Sequence, residues 1–167
     1  MPNYNGVWSL STQYQYAADW PLIPNVTRGV FAGGVGDKDV MDYILISSTG
    51  NATDFGNLSV GRDNIAVGSL ASATRGVFGG GIPGSTNSDV MDYITIASTG
   101  NATDFGNLVV GRYGLASLSS SVRGIFAGGH GDARDDEIDY ITIASAGNAT
   151  DFGNLTTAGN GVSGLAS

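Results

Sequence analysis

Arg75-Gly-Val-Phe-Gly-Gly-Gly81 decides the fold, because it occurs three times: Arg28-Gly-Val-Phe-Ala-Gly-Gly34 precedes it and Arg123-Gly-Ile-Phe-Ala-Gly-Gly129 follows it. The periods are 47 and 48 residues (75 minus 28, 123 minus 75). Self-similarity on that scale marks a repeat architecture. Each copy continues with Asp-Tyr and an apolar alternation, Asp42-Tyr43-Ile44-Leu45-Ile46, Asp92-Tyr93-Ile94-Thr95-Ile96 and Asp139-Tyr140-Ile141-Thr142-Ile143. The nonapeptide Gly-Asn-Ala-Thr-Asp-Phe-Gly-Asn-Leu then recurs unchanged at 50–58, 100–108 and 147–155. Period-2 alternation punctuated by turn residues predicts four strands per unit, in the middle copy 75–79, 90–97 and 103–110, with 113–120 leading into the next. The glycine pairs Gly33-Gly34, Gly80-Gly81 and Gly128-Gly129 end a strand where positive φ or close backbone approach is needed. A phosphate-cradling loop would lead into a helix N-terminus, whereas a polar loop and another strand follow here.

Composition agrees with an all-β chain. There are 27 Gly in 167 residues, with one Glu (Glu137) and one Lys (Lys38), so strong exposed-helix formers are nearly absent. Fourteen Asp and one Glu against seven basic residues give a net charge of -8, which repels nucleic acid and anionic membranes. With no Cys there is no disulfide framework and no thiolate metal site. Met1-Pro2-Asn3-Tyr4 opens no basic, apolar leader, and no apolar run approaches the roughly 20 residues that span a bilayer, so no membrane insertion is expected.

Across residues 28–167 the order apolar strand, Gly-Gly, loop, Asp-Tyr strand, turn, aromatic strand and Arg resembles the kelch repeat of β-propellers. Gly76–Gly81 matches the apolar strand of that family, Asp92-Tyr93 its Tyr-Asp strand, and Asp104–Leu108 ahead of Arg112 its Trp strand. Phe105 replaces the usual Trp, Tyr follows Asp instead of preceding it, and Thr156-Thr157-Ala158-Gly159 stands where Val-Gly-Arg is found at 60–62 and 110–112. The near-identity of 39–58 and 89–108, with Gly6–Tyr16 and Trp20-Pro21, is similar to tail or appendage proteins of marine bacteriophages. That resemblance implies a virion component, an extracellular particle location, and a structural or adhesive role.

Propellers have four to eight blades, so three units (28–74, 75–122, 123–167) leave two sheet ends open. Residues 160–167 match the innermost strand of a next blade (compare Tyr113–Ser117), while the first copy starts at its second strand. The expected architecture is therefore half of a six-bladed propeller, closed by strand exchange in a homodimer. A single-chain β-prism with pseudo-three-fold symmetry is the alternative.

From the last Gly of the first motif to Asp-Tyr the spacing is 8, 11 and 10 residues, whereas from the Asp of Asp-Tyr to the Phe of the nonapeptide it is always 13. Length variation of this kind collects in surface loops, often on a binding face. The candidate contact residues are accordingly Asp37, Lys38 and Asp39 in the first loop, Ser85, Thr86 and Asn87 in the second, and His130, Asp132, Arg134, Asp135 and Asp136 in the third. His130 is the sole histidine and has no Ser or Cys partner in a recognisable motif, so it supports neither a triad nor a transition-metal site. No Asp-x-Asp-x-Asp-Gly calcium spacing occurs either. A galactose-oxidase-like copper site, known in relatives of kelch propellers, requires the missing cysteine. No cofactor or metal is expected.

Five of six arginines (28, 62, 75, 112, 123) recur with the repeat, as do the Asp residues, which predicts ion pairs or carbonyl contacts repeated per unit. The Asx residues of the nonapeptide read as turn formers that bond their own backbone. Asn-x-Ser/Thr sequons at Asn25, Asn51, Asn57, Asn101, Asn148 and Asn154 read as chance matches. Residues 1–27 hold Trp8, Tyr14, Tyr16 and Trp20, an aromatic segment expected to plug the propeller or dock it onto a neighbour. The function expected is non-enzymatic: a phage tail or appendage component presenting loops to a protein or host glycan, with itself and other virion proteins as partners. An intracellular protein-interaction propeller is the alternative. A carbohydrate-active enzyme ranks last, because its facing carboxylates would have to come from the contiguous Asp135-Asp136-Glu137.

Overall fold

A computed structural model describes residues 27–36, 38–63 and 68–166. These form eleven strands in three antiparallel sheets and contain no helix. The first sheet, in the order β1-β2-β3, comprises β1 (Arg28–Ala32), β2 (Lys38–Leu45) and β3 (Thr53–Arg62). The second runs β4-β5-β6-β7, with β4 (Gly68–Ala71), β5 (Arg75–Gly79), β6 (Val90–Thr95) and β7 (Thr103–Asn107). The third repeats that order with β8 (Ala116–Ser119), β9 (Arg123–Ala127), β10 (Glu137–Thr142) and β11 (Thr150–Asn154).

The expected strand 75–79 is β5 itself, while those at 90–97, 103–110 and 113–120 are shorter than expected. The tightly turned backbone after Thr95, closed by Ser98 N donating to the Thr95 carbonyl, ends β6. β7 ends at Asn107, one residue before a last bond in the same register, Leu108 N donating to the Asp89 carbonyl. The glycine pairs have the positive φ expected of them, and at Gly80 (φ 80°) no other residue fits, since a Cβ would lie 2.4 Å from the Arg112 carbonyl oxygen.

Each four-stranded sheet joins the strand that precedes Arg-Gly-Val-Phe to the three that follow it, so sheet boundaries lie one strand earlier than sequence repeats. Register places Phe78 opposite Asp92 and Val77 opposite Tyr93, and Phe31 opposite Asp42 in the first sheet. Alternation then sends Asp and Tyr to opposite faces. The inner strands β4 and β8 lie side by side, with Ser117 and Ser119 hydroxyls donating to the Ser69 and Ala71 carbonyls at 2.7 and 2.8 Å.

Two cores sit between consecutive sheets, and they are the same joint built twice. Between the first and second sheets it comprises Met41, Phe55, Leu58, Phe78 and Ile94. Between the second and third, Met91, Phe105, Leu108, Phe126 and Ile141 take the same repeat positions, joined by Leu70, Val77, Leu115 and Ile143. Phe126 reaches across to Gly68 and Gly79, where an added Cβ would lie 2.4 and 3.1 Å from its ring. Absence of a side chain at those two glycines makes room for the aromatic of the next unit.

The three sheets do not close on themselves. Among the described residues the first sheet has three strands, and β1 pairs only with β2. Residues 160–166 form no strand and run beside β8, with Gly161 N donating to the Gly114 carbonyl and Gly164 against the Ser117 carbonyl. They do not complete the first sheet within the chain, as the prism alternative would require.

Candidate inter-unit clasp and binding loops

The most concentrated polar chemistry lies between sheets. Arg62 ends β3 and is fully buried, yet its side chain belongs to the next unit. Its guanidinium pairs with the buried Asp92 carboxylate and donates to the Gly80 and Val90 carbonyls at 2.9 and 2.7 Å, while Nε reaches the Val60 carbonyl at 3.4 Å. Burial lowers the Arg62 pKa, an effect that Asp92 opposes. Arg112 repeats the arrangement one joint later: it is 2.9 Å from the buried Asp139, 3.3 Å from Glu137 and 3.7 Å from Asp135. The periodic Arg and Asp thus pair across units, as an arginine at the end of the outer strand of one sheet (Arg62) or just beyond it (Arg112) and an aspartate on the third strand of the next.

The two clasps differ where Glu137 replaces Val90, in Arg112 Nε and Nη1, which make no hydrogen bond, and at Ser59. Ser59 Oγ donates to Asp92 Oδ1 at 2.5 Å, whereas its counterpart is Val109, which offers only its backbone N–H to Asp139 Oδ2 at 3.3 Å. Asp139 Oδ1 has no hydrogen-bond partner. Burial raises the Asp139 pKa despite the Arg112 guanidinium. Val109→Ser, at a half-exposed site that gives up little apolar burial, should supply the missing donor and raise stability by about 1 kcal/mol, read as a higher urea midpoint at unchanged slope.

Glu137 is also held above the ordinary carboxylate range, first by burial, then by the charge of Asp139. An acid whose folded pKa is raised binds its proton more tightly in the native state, so its contribution is present below the unfolded pKa and lost as pH rises through the folded value. Glu137→Gln cannot ionise. Its stability should therefore gain on the wild type as pH rises from about 4, the ordinary glutamate value, measured by urea unfolding from pH 3.5 to 7.

A second set of contacts recurs on the other face. Arg28, Arg75 and Arg123 lie 4.8, 4.2 and 4.6 Å from the ring centres of Tyr43, Tyr93 and Tyr140. Each Tyr meets the nonapeptide Phe of its own unit edge to face, at 6.0 to 6.1 Å. Arg28 and Arg75 also donate to the Ile96 and Ile143 carbonyls of the following unit, both at 2.9 Å. Asp104 and Asp151 bond the backbone two residues on, as Asx turns do. The nonapeptide Asn does something else: Asn101 and Asn148 side chains accept from Asn57 N and Asn107 N of the preceding unit, both at 3.1 Å. Gly100 N and Ala102 N donate to the Phe55 and Asn57 carbonyls alongside, and Gly147 and Ala149 repeat this on Phe105 and Asn107. The unchanged nonapeptide is thus an adhesive strip between outer strands.

The three variable loops connect equivalent strands, β1 to β2, β5 to β6 and β9 to β10. The bases of the second and third are fastened to the segment after a clasp arginine: Asp63 and Ile82 exchange backbone hydrogen bonds, as do Tyr113 and His130. Ser85 and Thr86 are exposed at the tip of the second loop, with Asn87 half-buried. Lys38 and Asp39 belong to β2, because the long β3 extends pairing to Lys38 opposite Arg62. Asp37, Trp8, Tyr14, Tyr16 and Trp20 lie outside the described residues, as does the whole plug or docking segment apart from Thr27.

In the third loop the residues separate into two kinds. Asp135 accepts from Glu137 N and stands near Arg112, and Asp136 accepts from the Asn154 amide, so both tie the loop down. Asp132 and Arg134 are exposed. His130 stacks on Tyr113 with ring centres 5.3 Å apart, and its Nδ1–H donates to the Gly131 carbonyl at 2.8 Å. Among the described residues no group of three or more His, Asp or Glu is placed to hold a metal ion. The chain matches no protein-family model and no curated protein.

Proposed function

We propose that this chain is a non-enzymatic structural or adhesion component of a virus particle, a phage tail or appendage protein built from kelch-like blades. In this reading it is half of a six-bladed ring closed by a second copy, located on the extracellular particle and partnered by itself and other virion proteins. One observation carries it: ionisable and polar groups are invested in joints between units, while exposed Ser85, Thr86, Asp132 and Arg134 sit on loops of changing length over a repeated frame. A frame that repeats and loops that vary suit presentation of a contact surface, here to a protein or a host surface glycan.

Immunogold labelling of purified particles tests the location. Label on the tail or appendage is expected, and label confined to infected-cell cytoplasm would favour the intracellular interaction propeller. Binding of the purified protein to an array of bacterial surface polysaccharides tests adhesion, with Asp132→Ala/Arg134→Ala expected to weaken any signal. Silence across the array would move the role from adhesion to architecture.

A further inference from the structure

The joint that is formed twice inside the chain is left half-made at each end. On the first sheet Phe31 is 60% exposed, whereas its counterparts Phe78 and Phe126 are 7% and 0% exposed. On the third sheet Phe152 is 55% exposed, against 2% for both Phe55 and Phe105. Each end therefore bares the member of the joint that the neighbouring unit would cover.

The halves are complementary. The first sheet offers the strip Gly50-Asn51-Ala52 and the Ile46 carbonyl, and the third offers the matching outer strand Phe152-Gly153-Asn154 and the exposed Arg123. By the internal pattern, Asn51 receives from Asn154 N, and Arg123 donates to Ile46, as Arg28 and Arg75 do to Ile96 and Ile143. Inner strands agree as well. A cleft of about 170 Å³, lined by Val30 of β1, Ser69 and Ala71 of β4, and Phe78, occupies the place that β4 itself takes between β5 and β8. Residues 160–166, running beside β8 as β8 runs beside β4, have the position to fill that place in another molecule. In the same chain the matching spacing, 47 before 68–71, falls on 21–24, where Pro21 and Pro24 have no N–H to give a ladder.

We infer that the end face bearing Phe31, Asp42 and Asn51 is a docking surface for the opposite end face of a second copy, head to tail, in a joint that lacks the buried arginine. Gly159 stands where Arg62 and Arg112 stand, shown by its carbonyl accepting from Gly129 N as Arg112's does from Gly81 N. Asp42, the counterpart of Asp92 and Asp139, consequently meets no guanidinium from the partner. The joint between copies is the weak one of the set, and Asp42 is an arginine-accepting position that self-assembly leaves unused. This rests on the ring reading for its occupant, although the pairing of faces is independent of whether the assembly closes.

Sedimentation equilibrium of the full chain and four variants tests it. Phe31→Asp and Phe152→Asp, both at exposed positions, should each be monomeric with an unchanged β circular-dichroism spectrum. An equimolar mixture of the two should recover a single-joint dimer, because each supplies the face the other lacks. Gly159→Arg places a side chain where a Cβ meets only Val162 Cγ1 at 3.4 Å, and it should tighten association by about tenfold or more. That gain should vanish in Gly159→Arg/Asp42→Asn. Open, larger oligomers that respond to these substitutions keep the joint and overturn the closed ring. Association indifferent to Phe31→Asp and Phe152→Asp, association unchanged by Gly159→Arg, or a chain monomeric even as Gly159→Arg because residues 1–26 cover the face, overturns the inference.

Discussion

Arg62→Met should destabilise the protein by about 3–5 kcal/mol at neutral pH, because it strips a fully buried carboxylate of its countercharge. The side chain of Met fills much of the arginine volume, so the loss is electrostatic more than steric. Asp92 would keep one donor, the Ser59 hydroxyl, and the Gly80 carbonyl would lose the Arg62 donor, while the Val90 carbonyl keeps the Gly80 N–H at 3.1 Å. An unpaired buried carboxylate takes up a proton in the folded state, so the variant should regain stability on acidification. Removing both charges as Arg62→Met/Asp92→Leu should recover most of the deficit, since replacing a buried pair by apolar groups is commonly neutral. A remainder of about 1–3 kcal/mol is expected from the Gly80 carbonyl, left without the Arg62 donor. Urea unfolding of the single and double variants at pH 7 and pH 4 measures all of this. A single variant within 1 kcal/mol of the wild type, on the order of an exposed pair, would mean the clasp is a solvated contact.

Phe126→Ala should cost about 3–5 kcal/mol and should do so unevenly along the chain. The ring is fully buried and sits over Gly68 and Gly79 of the preceding unit, so truncation opens a cavity in the second joint that neither glycine can fill. In a repeat protein whose units touch only their neighbours, weakening one joint uncouples what lies beyond it. Hydrogen exchange should then show the amides of Ile125 to Thr142 opening before those of Val77 to Thr95. A uniform loss of protection would contradict independent joints.

Much of this was legible in the residues. Strand positions followed from alternation and paired glycines, and the repeated Arg and Asp announced a repeated ion pair. The destination of each side chain was not legible. Nothing local to Arg62 says that it serves the next sheet, because the partner, Asp92, lies 30 residues on and only the packing of sheets brings them together. The nonapeptide Asn was misleading for a similar reason: an Asx side chain in a turn ordinarily bonds its own backbone, yet Asn101 and Asn148 reach across to the preceding unit. The loops were partly legible. Their variable length marked them, but which acids would be tied down, Asp135 and Asp136, and which left exposed, Asp132, depended on where Arg112 and Asn154 arrive.

A joint made twice within the chain and half-made at each end predicts that the protein does not remain single. Sedimentation equilibrium of the unmodified chain should show a species of twice the 17.0 kDa chain mass, dissociating on dilution to one chain with the β spectrum retained. A single 17.0 kDa species at every accessible concentration would contradict the account.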